Sequence, residues 1–134
     1  MTDQIADLLI RIKNAAAVRK DFLSMPYTKM KEAILLILEK NGFVKNIKII
    51  AETNSTSSGQ TGKKCISFEL VANQYPTHIK QISKPGHRIY TKGKDIKIPL
   101  RGLGLVIIST SEGVINGKEA SKKGLGGEII CEIW

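Results

Sequence analysis

Cysteine, histidine and the aromatic residues are scarce in this chain of 134 residues. It has two cysteines and two histidines, and aromatic residues make up 5% of the sequence. Cys65 and Cys131 form no CxxC pair and lie in apolar segments typical of strands, so we interpret both as small buried hydrophobic residues. His78 and His87 lie apart from each other and from the cysteines. The sequence therefore predicts no metal site and no cofactor.

Long apolar runs are absent as well. No stretch approaches the roughly 18 apolar residues that a membrane-spanning helix requires. The N-terminus begins with an acidic, amphipathic pattern rather than the basic and apolar segments of a signal peptide. We therefore expect a soluble intracellular protein that has neither a membrane partner nor a small-molecule substrate.

The glycine-containing segments match no motif of an enzyme. A nucleophile elbow has glycine on both sides of its serine, but Ser111 is flanked by Ser109 and Gly113. Residues 113–119 have three residues between their glycines, whereas a phosphate-binding loop has four. Residues 102–104 (GLG) lack the third glycine of a dinucleotide-binding loop. The sequence therefore predicts no catalytic residue.

Positive charge is the most abundant chemical feature of the chain. Its 21 basic residues outnumber its 12 acidic residues, which gives a formal net charge of +9 at pH 7. Residues 79–104 contain seven basic residues but one acidic residue, Asp95. A surface of this charge indicates an anionic partner. We expect a nucleic acid, and the alternative is an acidic protein or membrane surface that binds through charge alone.

Helical patterns occur in the first part of the chain. Apolar residues between Ile5 and Ala16 recur at helical spacing, and Thr2 or Asp3 is the expected N-cap. A second helix is predicted over residues 28–41, and Gly42 should end it in the left-handed conformation. Alternating apolar residues then predict strands over residues 43–51 and 64–71, joined by a polar hairpin loop at residues 52–62.

Strand patterns dominate the second part of the chain. Strands are predicted over residues 79–83, 88–92, 105–109 and 128–134, and a capping box formed by Asn116 and Glu119 predicts a short helix that ends at Gly124. The fold class is therefore α+β, with two small α+β subdomains packed together. Residues 1–72 form a helix-rich subdomain with a short sheet, and residues 73–134 form a mainly antiparallel β subdomain with one short helix.

The segment at residues 109–113 (STSEG) follows an apolar strand and is the strongest candidate for a binding loop. Its hydroxyl groups both donate and accept hydrogen bonds, so they fit a phosphate, a 2′-hydroxyl or a base edge. Tyr90 offers a ring face on which a sugar or an unpaired base can stack. Two structural interpretations remain open, because the hydroxyls alone also suit a hydrogen-bonded turn and Tyr90 alone also suits cross-strand packing.

Two blocks near the C-terminus carry a specific signature. The first is Ser109-Thr110-Ser111-x-Gly113, and the second begins at Gly126-Gly127-Glu128 and includes Trp134. Together with PYTK at residues 26–29 and KPGHRIY at residues 84–90, they closely resemble the bacterial type of the small-subunit ribosomal protein S-eight family. The resemblance covers nearly the whole chain except residues 52–62.

The resemblance implies a protein that is not an enzyme and that binds ribosomal RNA. The RNA target in this family is an irregular stem in the central domain of small-subunit ribosomal RNA, and binding supports subunit assembly and translation. The implied partners are this RNA and neighbouring small-subunit ribosomal proteins, and many bacterial relatives also bind their own messenger RNA. The implied location is the ribosome, in the bacterial cytoplasm or the plastid stroma.

The resemblance also implies which residues meet the RNA. Ser109, Thr110 and Ser111 would enter the minor groove, and Tyr90 would pack against the same region. The implied contacts to the RNA backbone come from the first subdomain and are Thr2, Asp3, Asn14, Lys29 and Lys31. The residues implied to support the hydroxyl-bearing loop are Gly113, Gly127 and Glu128.

The chain departs from the family pattern at a few positions. Gln4 and Lys97 stand where the family usually has proline, and a proline occurs instead at Pro99. Gly117 replaces an expected aspartate, which leaves Asn116 as the expected cap of the short helix.

Overall fold

The computed structural model describes residues 3–51 and 64–134. Its first element is helix α1 (Gln4–Ala17), which begins where the Asp3 carboxylate accepts the backbone N–H groups of Ile5 and Ala6. Leu8, Ile12 and their neighbours at helical spacing are buried, as the sequence pattern predicts. Thr2, the other predicted cap, lies outside the described residues.

Helix α2 (Lys29–Lys40) confirms the second predicted helix. The Thr28 hydroxyl accepts the backbone N–H of Lys31, which satisfies one of the free donors at the start of the helix. Gly42 follows the end of the helix at a φ of +82°, the left-handed conformation that the sequence predicts there. The apolar face of α2 is buried through residues such as Ile34 and Leu38.

Three antiparallel strands form the sheet of the N-terminal part: β1 (Phe22–Pro26), β2 (Val44–Ala51) and β3 (Lys64–Leu70), in the order β1-β3-β2. Alternation along β3 buries Ile66, Phe68 and Leu70, as predicted. The prediction of regular alternation along β2 is wrong, because the pairing register shifts between Lys45 and Lys48. Ile49 is exposed although it lies opposite the buried Ile66 of β3. The sequence pattern also failed to predict strand β1. The predicted loop at residues 52–62 lies outside the described residues.

The second sheet is built from five antiparallel strands of the described chain. They are β4 (Ile79–Gln81), β5 (Tyr90–Thr91), β6 (Leu105–Thr110), β7 (Gly113–Asn116) and β8 (Gly127–Ile133). The strand order is β4-β8-β6-β7, and β5 pairs with the same edge of β8 as β4 does. Helix α3 (Gly117–Lys123) begins at Asn116, whose side chain accepts the N–H of Lys118, and ends at left-handed Gly124. The fold class is thus α+β, as predicted.

The shorter elements of this sheet match the sequence prediction only in part. The strands predicted over residues 79–83 and 88–92 are shorter in the structure, and β7 was not predicted at all. The capping box is half formed, since Glu119 pairs with Lys123 instead of reaching back to the cap. In the turn that leads into β6, Leu100 and Arg101 adopt φ angles of 53° and 52°. This left-handed conformation costs a residue with a side chain roughly 1–2 kcal/mol.

Strand β6 is buried on both of its faces. Leu105 and Ile107 belong to the main apolar cluster, which also contains Leu8, Ile34 and Phe68 from the N-terminal part. Val106 and Ile108 point to the other face and pack with Ala120 of α3 in a smaller cluster. The main core is therefore shared by both sheets, and β6 lies between the two clusters.

The two cysteines differ in their surroundings. Cys131 is fully buried, and desolvation raises the pKa of its thiol to about 12. Cys65 is only partly buried, because it lies on the face of β3 opposite the helices, so the prediction that both are core residues is wrong for Cys65. Among the described helices, none combines the length and apolar character needed to cross a bilayer.

Candidate functional site

The hydroxyl loop, residues 109–113, is a tight hairpin turn between β6 and β7. The Thr110 hydroxyl donates to the carbonyl oxygen of Gly113 at 2.9 Å and accepts the N–H of Glu112 at 3.1 Å. Gly113 has a φ of +107°, which residues with a side chain rarely adopt. Thr110 therefore holds the turn closed, whereas Ser111 is exposed at its tip and Ser109 is half-buried at its base.

Gly127 supports the hydroxyl loop by having no side chain. Its backbone lies opposite Thr110 in the pairing of β8 with β6. A Cβ at Gly127 would lie 2.0 Å from the carbonyl oxygen of Ser109, far inside van der Waals contact. Only glycine allows β8 to approach the base of the loop at this point. The predicted supporting residues Gly113 and Gly127 thus both have a geometric reason to be glycine.

Tyr90, Glu128 and Ser109 form a row across three neighbouring strands. Glu128 of β8 lies opposite Tyr90 of β5 on one side and opposite Ser109 of β6 on the other. Residues directly opposite each other in a sheet project from the same face. Two strand spacings place the backbones of Tyr90 and Ser109 about 10 Å apart. The structure therefore brings together three residues that are distant in the sequence, and we call this set the sheet row.

Arg88 neutralises the only acidic side chain of the sheet row. Its guanidinium donates to the Glu128 carboxylate at 3.2 Å, and the Glu128 side chain is largely shielded from solvent. Tyr90, in contrast, is 70% exposed and free to offer its ring face. The sequence interpretation did not include Arg88 among the site residues. Its place two residues before Tyr90 in the KPGHRIY motif was the available signal.

The sheet row lies on the face that the N-terminal helices cover further along. Ser109 is two residues beyond Ile107 on β6, so the two side chains project from the same face. Ile107 belongs to the apolar cluster shared with α1 and α2. A cleft of about 260 Å³ next to this junction is lined by residues of both parts, including Asp3, Met30 and Arg88. The exposed row is thus continuous with the N-terminal part of the molecule.

Two of the residues expected to contact RNA use their charged groups inside the protein. Asp3 caps α1, and its second carboxylate oxygen accepts the side-chain amide of Gln81 at 2.7 Å. Lys31 is 4% exposed, and its ammonium donates to the carbonyl oxygen of Pro26 at 3.1 Å. Each residue fixes the beginning of a helix against a neighbouring strand.

The Lys31 ammonium also lies 3.5 Å from the Asp7 carboxylate, which accepts a hydrogen bond from Arg11 at 3.0 Å. The hydrogen bond from Arg11, together with the charges of Arg11 and Lys31, outweighs desolvation and lowers the pKa of Asp7 below its ordinary value. This brace of Asp7, Arg11 and Lys31 joins α1 to α2.

Lys29 and Asn14 are the exposed members of the N-terminal set. Lys29 is the first residue of α2, and its side chain is exposed to solvent. Asn14 lines a cleft of about 530 Å³ with Arg11, Lys20 and Phe22. Thr2 lies outside the described residues. In the described part of the chain, no group of three or more histidine, cysteine or acidic side chains could hold a metal ion.

Comparison with known proteins identifies close relatives of the whole chain. A family model described as ribosomal protein S8 matches residues 3–134. The small ribosomal subunit protein uS8 of Streptococcus equi subsp. zooepidemicus is 41% identical over 140 residues, covering 100% of this chain and 98% of the relative. The protein of the same name from Streptococcus thermophilus is 42% identical with the same coverage. The proteins that this chain resembles are structural ribosomal proteins, not enzymes.

Proposed function

The chain belongs to the ribosomal protein S8 family, and we propose on this basis that it is a structural constituent of the small ribosomal subunit that binds ribosomal RNA directly. The observation that supports direct RNA binding most strongly is the sheet row with the hydroxyl loop beside it. An exposed aromatic ring, a half-buried serine and an exposed serine at a turn lie within one surface patch.

This patch suits the minor groove of an RNA helix. That groove is wide and shallow, and it displays 2′-hydroxyl groups and base edges that serine hydroxyls can bond as donors or acceptors. The ring of Tyr90 can stack on a sugar or on a base that an irregular stem leaves unpaired. Glu128 would repel phosphate if it stood alone, but its ion pair with Arg88 offsets that charge. In turn, the Glu128 carboxylate holds the Arg88 side chain next to the sheet row.

We propose an irregular stem in the central domain of small-subunit ribosomal RNA as the target, with support of subunit assembly as the consequence. Lys29 and Asn14 would contact the RNA backbone beyond the patch, where the net charge of +9 favours binding to phosphate. Asp3 and Lys31 would contribute from the same side, chiefly by fixing the beginnings of α1 and α2, the helices on which Asn14 and Lys29 lie. Thr2 is proposed as a further contact to the RNA backbone on the basis of the family resemblance alone.

We also propose that the chain divides into two subdomains, residues 1–72 and residues 73–134, which would contact different stretches of one stem. The bacterial relatives favour a ribosome in the bacterial cytoplasm over one in the plastid stroma. Neighbouring small-subunit proteins are proposed partners, and the chain's own messenger RNA would be bound through the same patch as ribosomal RNA.

The direct test is binding to small-subunit ribosomal RNA at about 0.2 M salt with excess transfer RNA as the competitor, since nonspecific charge contacts weaken steeply with salt. Tight binding that protects one irregular stem is expected. Replacing both Ser109 and Ser111 by alanine should weaken this binding by ~1–3 kcal/mol for each lost polar contact, while the fold stays intact.

The matched control replaces Ser24 and Ser121, which are exposed serines on β1 and α3, by alanine. This control variant should bind like the wild type. Binding that transfer RNA abolishes would instead support a basic surface without specificity, the alternative in which an acidic protein or membrane is held by charge. Equal affinity of the wild type and the folded Ser109/Ser111 variant would remove the hydroxyl loop from the site.

A further inference from the structure

Ser83 lies two residues beyond β4 and carries one of the few polar side chains that are buried in the described part of the chain. It is 5% exposed, as is Ser67 of β3. A buried hydroxyl group destabilises a fold unless it finds hydrogen-bond partners. Because the Ser83 side chain lies inside the protein, its hydroxyl does not face RNA. The partners of this hydroxyl therefore indicate what the residue does.

The hydroxyl of Ser83 bonds to both polar backbone groups of a single residue, Ile89. Its oxygen accepts the N–H of Ile89 at 2.9 Å, and its O–H donates to the carbonyl oxygen of Ile89 at 3.2 Å. A serine hydroxyl can form both bonds at once, since it has one donor hydrogen and two acceptor lone pairs. The side chain therefore bonds Ile89 in the way that a paired residue of an antiparallel strand would.

Ser83 and Ile89 are the two ends of an exposed turn. The residues between them, 84–88 (KPGHR), are all exposed. Both ends of the turn also bond to the same residue of β8. The N–H of Ser83 donates to the carbonyl oxygen of Ile129 at 3.1 Å, and the N–H of Ile129 donates to the carbonyl oxygen of Ile89 at 2.9 Å. The turn is thus a closed loop, and the Ser83 hydroxyl joins its ends directly.

Tyr90 follows Ile89 directly, and its own interactions hold it weakly. Strand β5 consists of Tyr90 and Thr91, so its pairing with β8 is two residues long. The Tyr90 side chain is 70% exposed, so its burial contributes little to fixing its position. The bonds between Ser83 and Ile89 hold the backbone one residue before the ring. They therefore restrict the place of Tyr90 in the sheet row.

We propose that Ser83 is a positioning residue for RNA recognition, because its buried hydroxyl holds Tyr90 at the place from which the ring stacks on RNA. This inference rests on the proposed function, in which Tyr90 contacts RNA. Ser83 acts through Tyr90 and touches no RNA itself. A ring whose place is fixed before the partner arrives loses less conformational entropy on binding. Removing the Ser83 hydroxyl should therefore weaken RNA binding although no direct contact is lost.

Hydrogen exchange of the protein without RNA tests whether Ser83 holds this segment. In Ser83→Ala the amide of Ile89 loses its acceptor, so it should exchange with deuterium roughly tenfold faster than in the wild type. The amides of β6 should change far less, which would show that the loosening is local. The matched control, Ser67→Ala, removes an equally buried hydroxyl from the other sheet and should leave the exchange of Ile89 unchanged. Unchanged exchange of Ile89 in Ser83→Ala would overturn the proposal.

A double-mutant cycle of RNA affinity distinguishes positioning from a role in stability alone. Ser83→Ala should weaken binding to small-subunit ribosomal RNA by about fivefold to tenfold. In a protein that already carries Tyr90→Ala, the same substitution should change the affinity by less than about twofold, because the ring that Ser83 positions is gone. Ser67→Ala should leave the affinity unchanged with or without the Tyr90 ring.

The outcomes of the cycle also distinguish this inference from the proposed function. Equal loss of affinity from Ser83→Ala with and without the Tyr90 ring, or no loss in either protein, would overturn the role of Ser83 and leave the RNA site as proposed. A Tyr90→Ala variant that binds RNA as tightly as the wild type would overturn the stacking contact itself, and the role of Ser83 with it.

Discussion

The start of α2 and the end of β6 both carry polar residues that the sequence assigned to RNA binding, but they use their polar groups differently. At α2 the Lys31 ammonium is bonded to the carbonyl oxygen of Pro26 and to Asp7, inside the protein. At β6 the Thr110 side chain bonds within the turn between β6 and β7, and Ser111 remains exposed. A polar residue within a binding motif can therefore serve the fold, as Lys31 does, and its hydrogen bonds reveal this role.

The largest expected effect comes from Gly127→Ala, which tests whether the end of β6 depends on the close approach of β8. The new Cβ would meet the carbonyl oxygen of Ser109 at 2.0 Å, so the strands must separate. We expect the free energy of unfolding to fall by about 3 kcal/mol, as for severe overpacking, and RNA binding to be lost. Urea denaturation and RNA titration measure the two effects.

Gly42→Ala is the control for the glycine prediction. Gly42 has a positive φ, but an added methyl group would lie in open space there, so only backbone strain of about 1 kcal/mol is expected. Equal stability of the Gly127 and Gly42 variants would show that the contact between β8 and the hydroxyl loop is not tight.

The next prediction compares Lys31→Ala with Lys29→Ala. Removing Lys31 leaves the carbonyl oxygen of Pro26 without its donor and weakens the brace to Asp7, so we expect unfolding to become easier by about 2 kcal/mol. Lys29 is exposed, and its removal should change stability by less than about 0.5 kcal/mol. Denaturant titration of both variants checks this.

The same two variants should differ in the salt dependence of their affinity for RNA. Loss of Lys29 is expected to lower the salt dependence of RNA affinity by about one charge, while a folded Lys31 variant should keep the wild-type slope. A reduced slope in the Lys31 variant would place its ammonium at the RNA after all.

Variants of Tyr90 should change the affinity for RNA while leaving the stability of the fold nearly unchanged. Because its ring is mostly exposed, Tyr90→Ala should change stability by less than about 0.5 kcal/mol. Loss of stacking should weaken RNA binding by ~1–3 kcal/mol. Tyr90→Phe keeps the ring and should keep most of the affinity. If alanine and phenylalanine bind RNA equally well, stacking on Tyr90 is not part of recognition.

The smallest effect concerns Asp7 and the pH dependence of stability. The pKa of Asp7 is lower in the folded state than its ordinary value of 3.8, chiefly through the hydrogen bond from Arg11. Its ionised form therefore stabilises the fold above pH 3.8, and this contribution is lost as the pH falls through the folded pKa. Thermal unfolding between about pH 5 and about pH 2.5 should show the wild type losing more stability than Asp7→Asn. Parallel curves would contradict the brace.

Much of the fold could be predicted because its signals are local. The helical spacing from Leu8 to Ala15, the alternation of Ile66, Phe68 and Leu70, and the glycine after α2 each depend on a few neighbouring residues. Strands β1 (FLSMP) and β7 (GVIN) were missed because neither alternates between apolar and polar residues. Each forms through pairing with a distant strand or across a turn. The bulge in β2 was missed for the same reason.

For the candidate site, the sequence named residues but could not give their arrangement. The motifs named Ser109, Tyr90 and Glu128, yet their alignment across three strands depends on the register of β8 against two partners. The burial of Lys31 could not be predicted either. A lysine near a helix start is expected to be exposed until the neighbouring helix supplies Asp7 and the preceding strand supplies a carbonyl oxygen.

The burial of β6 on both faces has a consequence for motion. Local opening of this strand would separate it from two apolar clusters at once, so its amide hydrogens should exchange with deuterium only when the whole chain unfolds. The hydroxyl loop is attached to one end of that strand. We therefore expect a partner bound at the hydroxyl loop to rest on a slowly exchanging strand, so that its release would not begin by fraying of the strand beneath it.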